Sequence, residues 1–568
     1  MKVNGISNAY FGLGINRLNS LNVSKPVNFA PITDSVSFKA RDKQLLSAQE
    51  GEKAANKLRT STSGYRGPLG GTFNDNFVYS LTNAVIKDMN DRDQKLSMVA
   101  GDTREATKKY APTIKNMFLQ NGIDVMVPQL TPSITDKISP VASPVLALAT
   151  KQQGIPLSVL LTASHNPWQD GGYNFLTDEG AVADDTKTKP IANNLEEITK
   201  KGTVDKPEGR TGKVHRFNPY KMYKNYLDEK KLINFDKIRN ANIDIFYEDF
   251  GGTGKYYFPK LMKDNGIQIK KVLSSQTEGP NPTKANLKNL SQEVIYSDNP
   301  LRIGLATDGD SDRFGVIDEN GKFINASDVI LLASYHMIKN RGMTEGTIIK
   351  NHATSEKIDL LAKYFNEKGC DIDVEQTPVG FKYLGGKMIE LEGTPKEAII
   401  TGEESGGLTV RGHIPEKDGF VALSTMLELV ATEKKPIGKI LASINEKLGG
   451  DFVSECMNFK FATEEEKEAA VDSFKAYYNG EKTQIAGINI DYDRTYAIND
   501  KLAEYKKGGD GMKFYLEDGS AVIIRKSGTE PVMRIYVDAS NKENFDVLKK
   551  QLSSATAEMG GNQMKAGH

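Results

Sequence analysis

Short apolar runs, each closed by a Gly, a Pro or a polar loop, alternate with longer amphipathic segments along most of this chain. The runs 123–127, 157–161, 243–248, 301–306, 347–350, 371–375 and 398–400 read as strands. Segments 111–120, 256–264, 327–339 and 355–367 read as helices, with Gly122 and Gly369 as stops. Strands separated by helices of this length predict crossover units and mainly parallel sheets. Toward the end the rhythm changes: 521–524 and 534–538 are strands around a short loop, and 544–557 is an amphipathic helix. The predicted fold is three successive α/β domains with mainly parallel sheets, then a smaller C-terminal α+β domain. Boundaries fall near 215, 325 and 452, giving domains over 46–215, 216–325, 326–452 and 453–558. Residues 1–45, rich in Asn and Ser without periodicity, read as a disordered extension, and 559–568 as a tail.

A length of 568 residues exceeds what one core organises, in keeping with several domains. The 74 basic residues balance the 74 acidic ones, which removes the basic surplus of a nucleic-acid binder. Cys370 and Cys456 are the only cysteines and lie far apart, so neither a disulfide framework nor a zinc site is expected. No apolar run is long enough to span a bilayer, and the first residues lack the apolar core of a signal peptide. The expectation is a cytoplasmic protein with no membrane or nucleic-acid partner.

Four loops carry candidate chemistry. Thr162-Ala163-Ser164-His165-Asn166-Pro167 follows the run 157–161 and sets a serine at the carboxyl edge of a sheet, where open α/β sheets bind ligands. No G-x-S-x-G elbow is present, so acyl transfer is not the natural chemistry of Ser164. Asp308-Gly309-Asp310-Ser311-Asp312-Arg313 sets three carboxylates at alternate positions. They repel one another unless a hard cation neutralises them, which points to Mg²⁺. Glu319 at the twelfth position imitates an EF-hand, but Arg313 stands where that loop needs Gly and the flanks are strands. Thr401-Gly402-Glu403-Glu404-Ser405-Gly406-Gly407 offers carboxylate and hydroxyl groups suited to sugar hydroxyls, with His413 and Lys417 just downstream. Arg525-Lys526-Ser527-Gly528-Thr529-Glu530-Pro531, with Arg534 beyond, is built like an anion cradle. Gly251-Gly252-Thr253-Gly254-Lys255 fails the nucleotide-loop template, since Asp249 holds the first Gly position, and reads as a tight strand-to-helix turn.

Ser63-Gly64-Tyr65-Arg66-Gly67 followed by these four loops, in this order, resembles the α-D-phosphohexomutase superfamily, which includes phosphoglucomutase and phosphomannomutase. The resemblance spans roughly residues 55 to 555. It implies four domains around a central cleft, each contributing one loop. Ser164 would carry the phosphoryl group, and Asp308, Asp310 and Asp312 would hold one Mg²⁺ against it. Glu403 and Ser405 would grip the sugar. Arg525, Ser527, Gly528, Thr529 and Arg534 would hold the non-reacting phosphate, and Arg313 would also touch substrate. Thr377, Gly380 and Lys382 resemble a third-domain loop that helps choose the sugar's orientation. Arg66, His165, His413 and Lys417 are the candidate catalytic side chains beside Ser164. Asp102-Thr103-Arg104 resembles a structural element of the family.

The implied reaction interconverts a hexose 1-phosphate and a hexose 6-phosphate through a phosphoserine enzyme and a bound 1,6-bisphosphate. Glucose 1,6-bisphosphate would serve as intermediate and activator. The implied partners are small sugar phosphates, and the implied assembly is a monomer or homodimer. Glucose phosphates are the leading substrate, with mannose phosphates or dual specificity as the alternative. A non-catalytic family member and a Mg²⁺-dependent phosphatase are the readings from other classes. One position departs from the family: Asn174 stands where many members carry a Lys ten residues after the phosphoserine.

Overall fold

The computed structural model describes residues 44–60, 64–131, 137–204, 211–450, 452–505, 511–527 and 531–564. The proposed extension therefore lies outside the described residues except for 44 and 45. The chain divides into two compact units, Met1–Glu229 and Lys230–His568.

The first unit is built on a six-stranded sheet. Strands Leu96–Gly101, Asp124–Pro128, Ser158–Leu161 and Val214–Phe217 run parallel. Asp170–Leu176 then returns antiparallel beside Ser158–Leu161, and Tyr65–Pro68 pairs antiparallel with it. Ser158–Leu161 is buried along its whole length, as expected of a strand covered on both faces. Val99, Val125, Val159 and Leu161 pack with Phe77 and Leu81 of helix Asp75–Asp91 into its core. The boundary near 215 cuts strand Val214–Phe217, which belongs to this sheet; a single short strand leaves no composition signal of its owner.

The second unit carries three sheets. Asp244–Glu248, Lys271–Leu273 and Arg302–Thr307 are parallel, and Phe314–Ile317 turns back antiparallel on Arg302–Thr307. Glu345–Asn351, Asp371–Thr377 and Ala398–Glu403 are parallel, and Gly407–Val410 turns back antiparallel on Ala398–Glu403. The last sheet, from Val453–Lys460 to Asn562–Gln563, is antiparallel throughout. Phe514, Val522, Ile524 and Ile535 bury one face of it against Leu548 and Leu552 of helix Lys542–Glu558. Thus the three α/β domains and the C-terminal α+β domain stand, and each parallel sheet carries an antiparallel return.

Two expectations are corrected. The helix read over 327–339 is an α-helix only over Ala326–Tyr335 and continues as a π-turn, His336–Asn340. Arg341 N–H reaches the His336 carbonyl there, and hydrophobic spacing does not register the extra residue in such a turn. The tail is also partly structured: Asn562–Gln563 pairs with Phe459 and Lys460. Among the described residues no helix is long and apolar enough to cross a membrane, and both cysteines are free.

Candidate functional site

All four motif loops occupy one kind of position. Each joins two adjacent antiparallel strands: 162–169, 308–313, 404–406 and 527–531. In the first three the incoming strand is also parallel to its other neighbour, so the loop sits at the carboxyl edge where such sheets present ligands.

Ser164 is buried and adopts the left-handed region at φ 51°, unusual for a residue with a Cβ and costly by roughly 1–3 kcal/mol. The loop is held from behind. Thr162 Oγ1 donates to Asp102 Oδ2 at 2.7 Å and accepts the Ser164 N–H at 2.8 Å. Arg104, fully buried, donates from Nη2 to the carbonyls of Ser164 (2.5 Å) and Asn166 (2.7 Å). Its Nη1 donates to the Pro167 carbonyl and its Nε to Asp102 Oδ2 at 3.0 Å. Those bonds give the Asp102–Arg104 element its structural role.

Around the hydroxyl, Ser164 Oγ lies 3.2 Å from His165 Nδ1. Arg66 Nη1 donates to Asn166 Oδ1 at 3.4 Å, so Arg66 and His165 both join the serine loop. Asn174 is buried, and its Nδ2 donates to the Thr162 carbonyl at 2.8 Å. It ties the return strand to the start of the loop and cannot take a proton there.

The carboxylates of Asp308, Asp310 and Asp312 are all buried, with ligand oxygens within 4.8 Å of one another. Asp312 Oδ1 has no hydrogen-bond partner among the described residues. A buried oxygen left without a donor, inside a cluster of like charge, fits a divalent cation. The loop is shaped by close backbone approach. A Cβ on Gly252 would stand 2.7 Å from the Gly309 carbonyl oxygen, and one on Gly419 would stand 2.8 Å from that of Ser311. Thr253 N–H donates to the Gly309 carbonyl at 2.9 Å, and the Thr253 and Ser311 hydroxyls meet at 2.8 Å. The glycine turn 251–254 is thus the tight turn expected, and it also supports the acidic loop.

Arg313 N–H donates to Asp308 Oδ1 at 3.1 Å, closing the loop, while its guanidinium Nε stands 3.9 Å from Asp312 Oδ1. The metal loop is tied to the sugar loop by Phe314 N–H on the Gly406 carbonyl, 2.9 Å. Lys417, just downstream of the sugar loop, pairs with the metal loop. Its Nζ lies 3.2 Å from Asp312 Oδ2 and 2.9 Å from Glu416 Oε1. Burial works against its charge, but Asp312, Glu416 and Glu403 outweigh that and hold the ammonium above its ordinary pKa. With those carboxylates around it, the Lys417 ammonium is suited to donate to an anion or a hydroxyl.

In the sugar loop, Ser405 Oγ donates to Glu403 Oε1 at 2.6 Å. Glu404 Oε2 accepts from Asn351 Nδ2 at 2.6 Å. Removal from water and the neighbouring Glu403 charge push the Glu404 carboxyl up to about 7, against a lowering influence from Arg525. In the phosphate hairpin, Arg525 stands directly opposite Arg534. Like charges facing each other across a ladder are unfavourable unless an anion joins them. Ser527 N–H donates to the Val532 carbonyl at 2.8 Å; Gly528 and Thr529 lie outside the described residues.

Several candidates are placed otherwise than their motifs suggest. His413 is fully buried with Nε2 2.8 Å from Asp418 Oδ2, and Asp418 caps helix Gly419–Glu433 through the N–H groups of Phe420 and Val421. That ring braces the helix start and reaches no open surface. Thr377 is also fully buried, its hydroxyl donating to the Pro378 carbonyl at 3.1 Å. Gly380, at φ 125°, opens helix Phe381–Leu391, and Lys382 on its first turn lies over the Tyr383 ring. Gly252 and Thr253, legible in the sequence only as a tight turn, help shape the metal loop, as does Gly419; Asn351, which no motif marks, holds Glu404 of the sugar loop.

Comparison with known proteins agrees with this layout. Four domain families match consecutive stretches: phosphoglucomutase/phosphomannomutase alpha/beta/alpha domain I over 57–202, domain II over 221–321, domain III over 325–448 and the C-terminal domain over 462–555. A phosphoglucomutase/phosphomannomutase of Thermococcus kodakarensis is 25% identical over 468 residues, spanning 80% of this chain and 88% of its own. A phosphoglucosamine mutase of Ruthia magnifica is 23% identical over 488 residues, spanning 85% and 95%. Among solved structures, the open form of the exocytosis-sensitive phosphoprotein parafusin (phosphoglucomutase) from Paramecium superposes with a TM-score of 0.69 at 18% identity. That match covers 89% of this chain and 95% of parafusin, and it speaks to fold alone.

Proposed function

The chain belongs to the phosphoglucomutase/phosphomannomutase family of phosphohexomutases, and on that premise we propose that it interconverts α-D-glucose 1-phosphate and glucose 6-phosphate. The observation that carries this reading is the set of four hairpin loops, one per sheet, with serine, triple-aspartate, Glu/Ser and Arg/Ser chemistry.

Ser164 donates its phosphoryl group to a sugar hydroxyl: the Oγ–P bond breaks as the new O–P bond forms, and the hydroxyl proton leaves to a base. The resulting 1,6-bisphosphate turns over. Its other phosphoryl group returns to Ser164 Oγ as that group's bond to the sugar oxygen breaks, and the sugar oxygen takes the proton back from the base, releasing the isomeric monophosphate. His165 Nδ1, 3.2 Å from Ser164 Oγ, is the group we assign to hold that proton. Arg104 keeps three loop carbonyls turned inward and lends positive charge behind the serine. Asp308, Asp310 and Asp312 would hold Mg²⁺, which supplies neutralisation of phosphoryl charge. Glu403 and Ser405 would grip the sugar in either orientation, and Arg525, Ser527 and Arg534 the phosphate that stays.

Relatives named for glucosamine as well as glucose and mannose phosphates make the sugar itself the open variable. A coupled assay with glucose, mannose and glucosamine 1-phosphates, each with and without a trace of the matching 1,6-bisphosphate, tests the reading. The expected result is highest turnover on glucose 1-phosphate, dependence on the trace bisphosphate, inhibition by EDTA and rescue by Mg²⁺. Steady release of inorganic phosphate would mark a phosphatase, and no turnover a non-catalytic member; either rejects the proposal.

A further inference from the structure

Strand Met512–Leu516 lies beside Ala521–Lys526, which carries Arg525 into the phosphate hairpin. Phe514 and Leu516 fill the core of the last domain, so the two-residue period of the strand turns Lys513 and Tyr515 to the other face. There the Lys513 ammonium is fully buried and donates to three oxygens of the third domain. They are the His352 carbonyl at 2.8 Å, Glu356 Oε1 at 2.7 Å and Gln376 Oε1 at 2.9 Å. Those contacts use all three of its N–H bonds, the condition under which a buried ammonium is tolerated.

Glu356 Oε1 is shared with Lys350 Nζ at 3.1 Å, and the Arg494 guanidinium lies 3.7 Å from Oε2 while stacking on Tyr515. Burial opposes ionisation of Glu356, but the charges of Lys350 and Lys513 hold its carboxyl well below the usual range. From this anchor the path to the sugar loop is short. His352 N–H donates to the Thr377 carbonyl at 2.9 Å. Its neighbour Asn351 donates from Nδ2 to Glu404 at 2.6 Å and accepts from Thr354 Oγ1 at 2.9 Å.

We propose that Lys513 is a positioning residue that holds the phosphate hairpin in register with the sugar loop, through the segment His352–Glu356 and Asn351. The inference rests on the phosphohexomutase reading, in which those two loops grip different parts of one sugar phosphate. A ligand held by both loops depends on their spacing; inorganic phosphate, held by one, does not.

Lys513→Met in the full chain tests this by calorimetric titration with glucose 1,6-bisphosphate and, separately, with inorganic phosphate. The bisphosphate is expected to bind ~10-fold more weakly, with KM for glucose 1-phosphate rising by more than kcat falls. Inorganic phosphate should bind as to the wild type. Unchanged bisphosphate affinity in a folded variant overturns the proposal. So does equal weakening of both ligands, which would assign Lys513 to the stability of the hairpin alone. If Lys513→Met does not fold, Gln376→Met removes one acceptor and is read the same way, with a ~3-fold shift expected and no shift overturning it. A wild-type protein that binds the bisphosphate yet turns over no hexose phosphate refutes the mutase reading instead, and leaves the binding comparison valid.

Discussion

The serine loop 162–169 and the acidic loop 308–313 each leave a parallel strand, pass a serine in left-handed backbone (Ser164 at φ 51°, Ser311 at φ 63°) and return antiparallel. Behind Ser164 stands a buried guanidinium that gathers the loop carbonyls. Behind Ser311 stand neutral groups: the Thr253 hydroxyl, the backbone at Gly252 and the N–H of Gly419. A loop meant to carry a phosphoryl dianion gains from a cation built into its support, whereas a cation in that position would compete with a metal ion for the acidic loop. Lys417 and Arg313 bring positive charge to the acidic loop from the side, both at Asp312.

The largest expected effect separates the two serines. Ser164→Ala should cost on the order of 10⁴-fold or more in turnover while the protein stays folded. Intact mass of the wild type should show one phosphate mapping to Ser164, lost in the variant. Ser311→Ala, which gives up only a hydroxyl pair, should cost several-fold at most; a larger loss than Ser164→Ala would reverse the roles assigned here.

Removing the charged support comes next. Arg104→Met leaves Asp102 buried without its guanidinium and frees the loop carbonyls. We expect about 3–5 kcal/mol of lost stability in denaturant titration and roughly 10²-fold slower turnover from loop misplacement. Wild-type kcat in this variant would show that the serine loop needs no such clamp.

Disturbing the neutral support should act on the metal instead. Gly252→Ala drives a methyl group against the Gly309 carbonyl, at about 1–3 kcal/mol of overpacking. Mg²⁺ affinity, read from the rise of the thermal midpoint with Mg²⁺, should fall about 10-fold. Phosphorylation of Ser164 by glucose 1,6-bisphosphate at saturating Mg²⁺ should persist.

The smallest effect concerns charge rather than shape. The Glu404 carboxyl, raised from 4.5 to about 7, stays neutral below that range and becomes an anion above it. A raised carboxyl pKa means that the folded state loses stability relative to the unfolded one as pH climbs from about 4.5 through about 7. Glu404→Gln should remove that slope from a stability–pH series. It should also flatten, by a few-fold at most, the fall in inorganic phosphate affinity above pH 7, since a fixed neutral amide no longer opposes an anion near Arg525. An unchanged pH profile would place the titration elsewhere.

The strands, helices and loop order were readable because their signals are local. Apolar runs mark 157–161 and 301–306, Gly122 and Gly369 mark stops, and turn residues mark each loop. The chemistry of Ser164, the three aspartates, Glu403 with Ser405, and Arg525 is likewise written in contiguous residues. What side chains do once buried was not readable. His413 is a candidate catalytic side chain by its motif, but in the fold it braces Asp418, and Thr377 spends its hydroxyl on its own neighbour's carbonyl.

The sequence by itself determined which loops exist, in what order and with which functional groups, since strand, turn and motif each depend on a few consecutive residues. Only the tertiary structure decided what holds those loops in shape. Arg104 reaches Ser164 across 60 residues, Thr253 reaches Ser311 across 58, and Lys513 reaches Glu356 across 157. A buried donor takes whichever acceptor the packed chain brings within about 3 Å, and nothing in the spacing of residues along the chain encodes that choice.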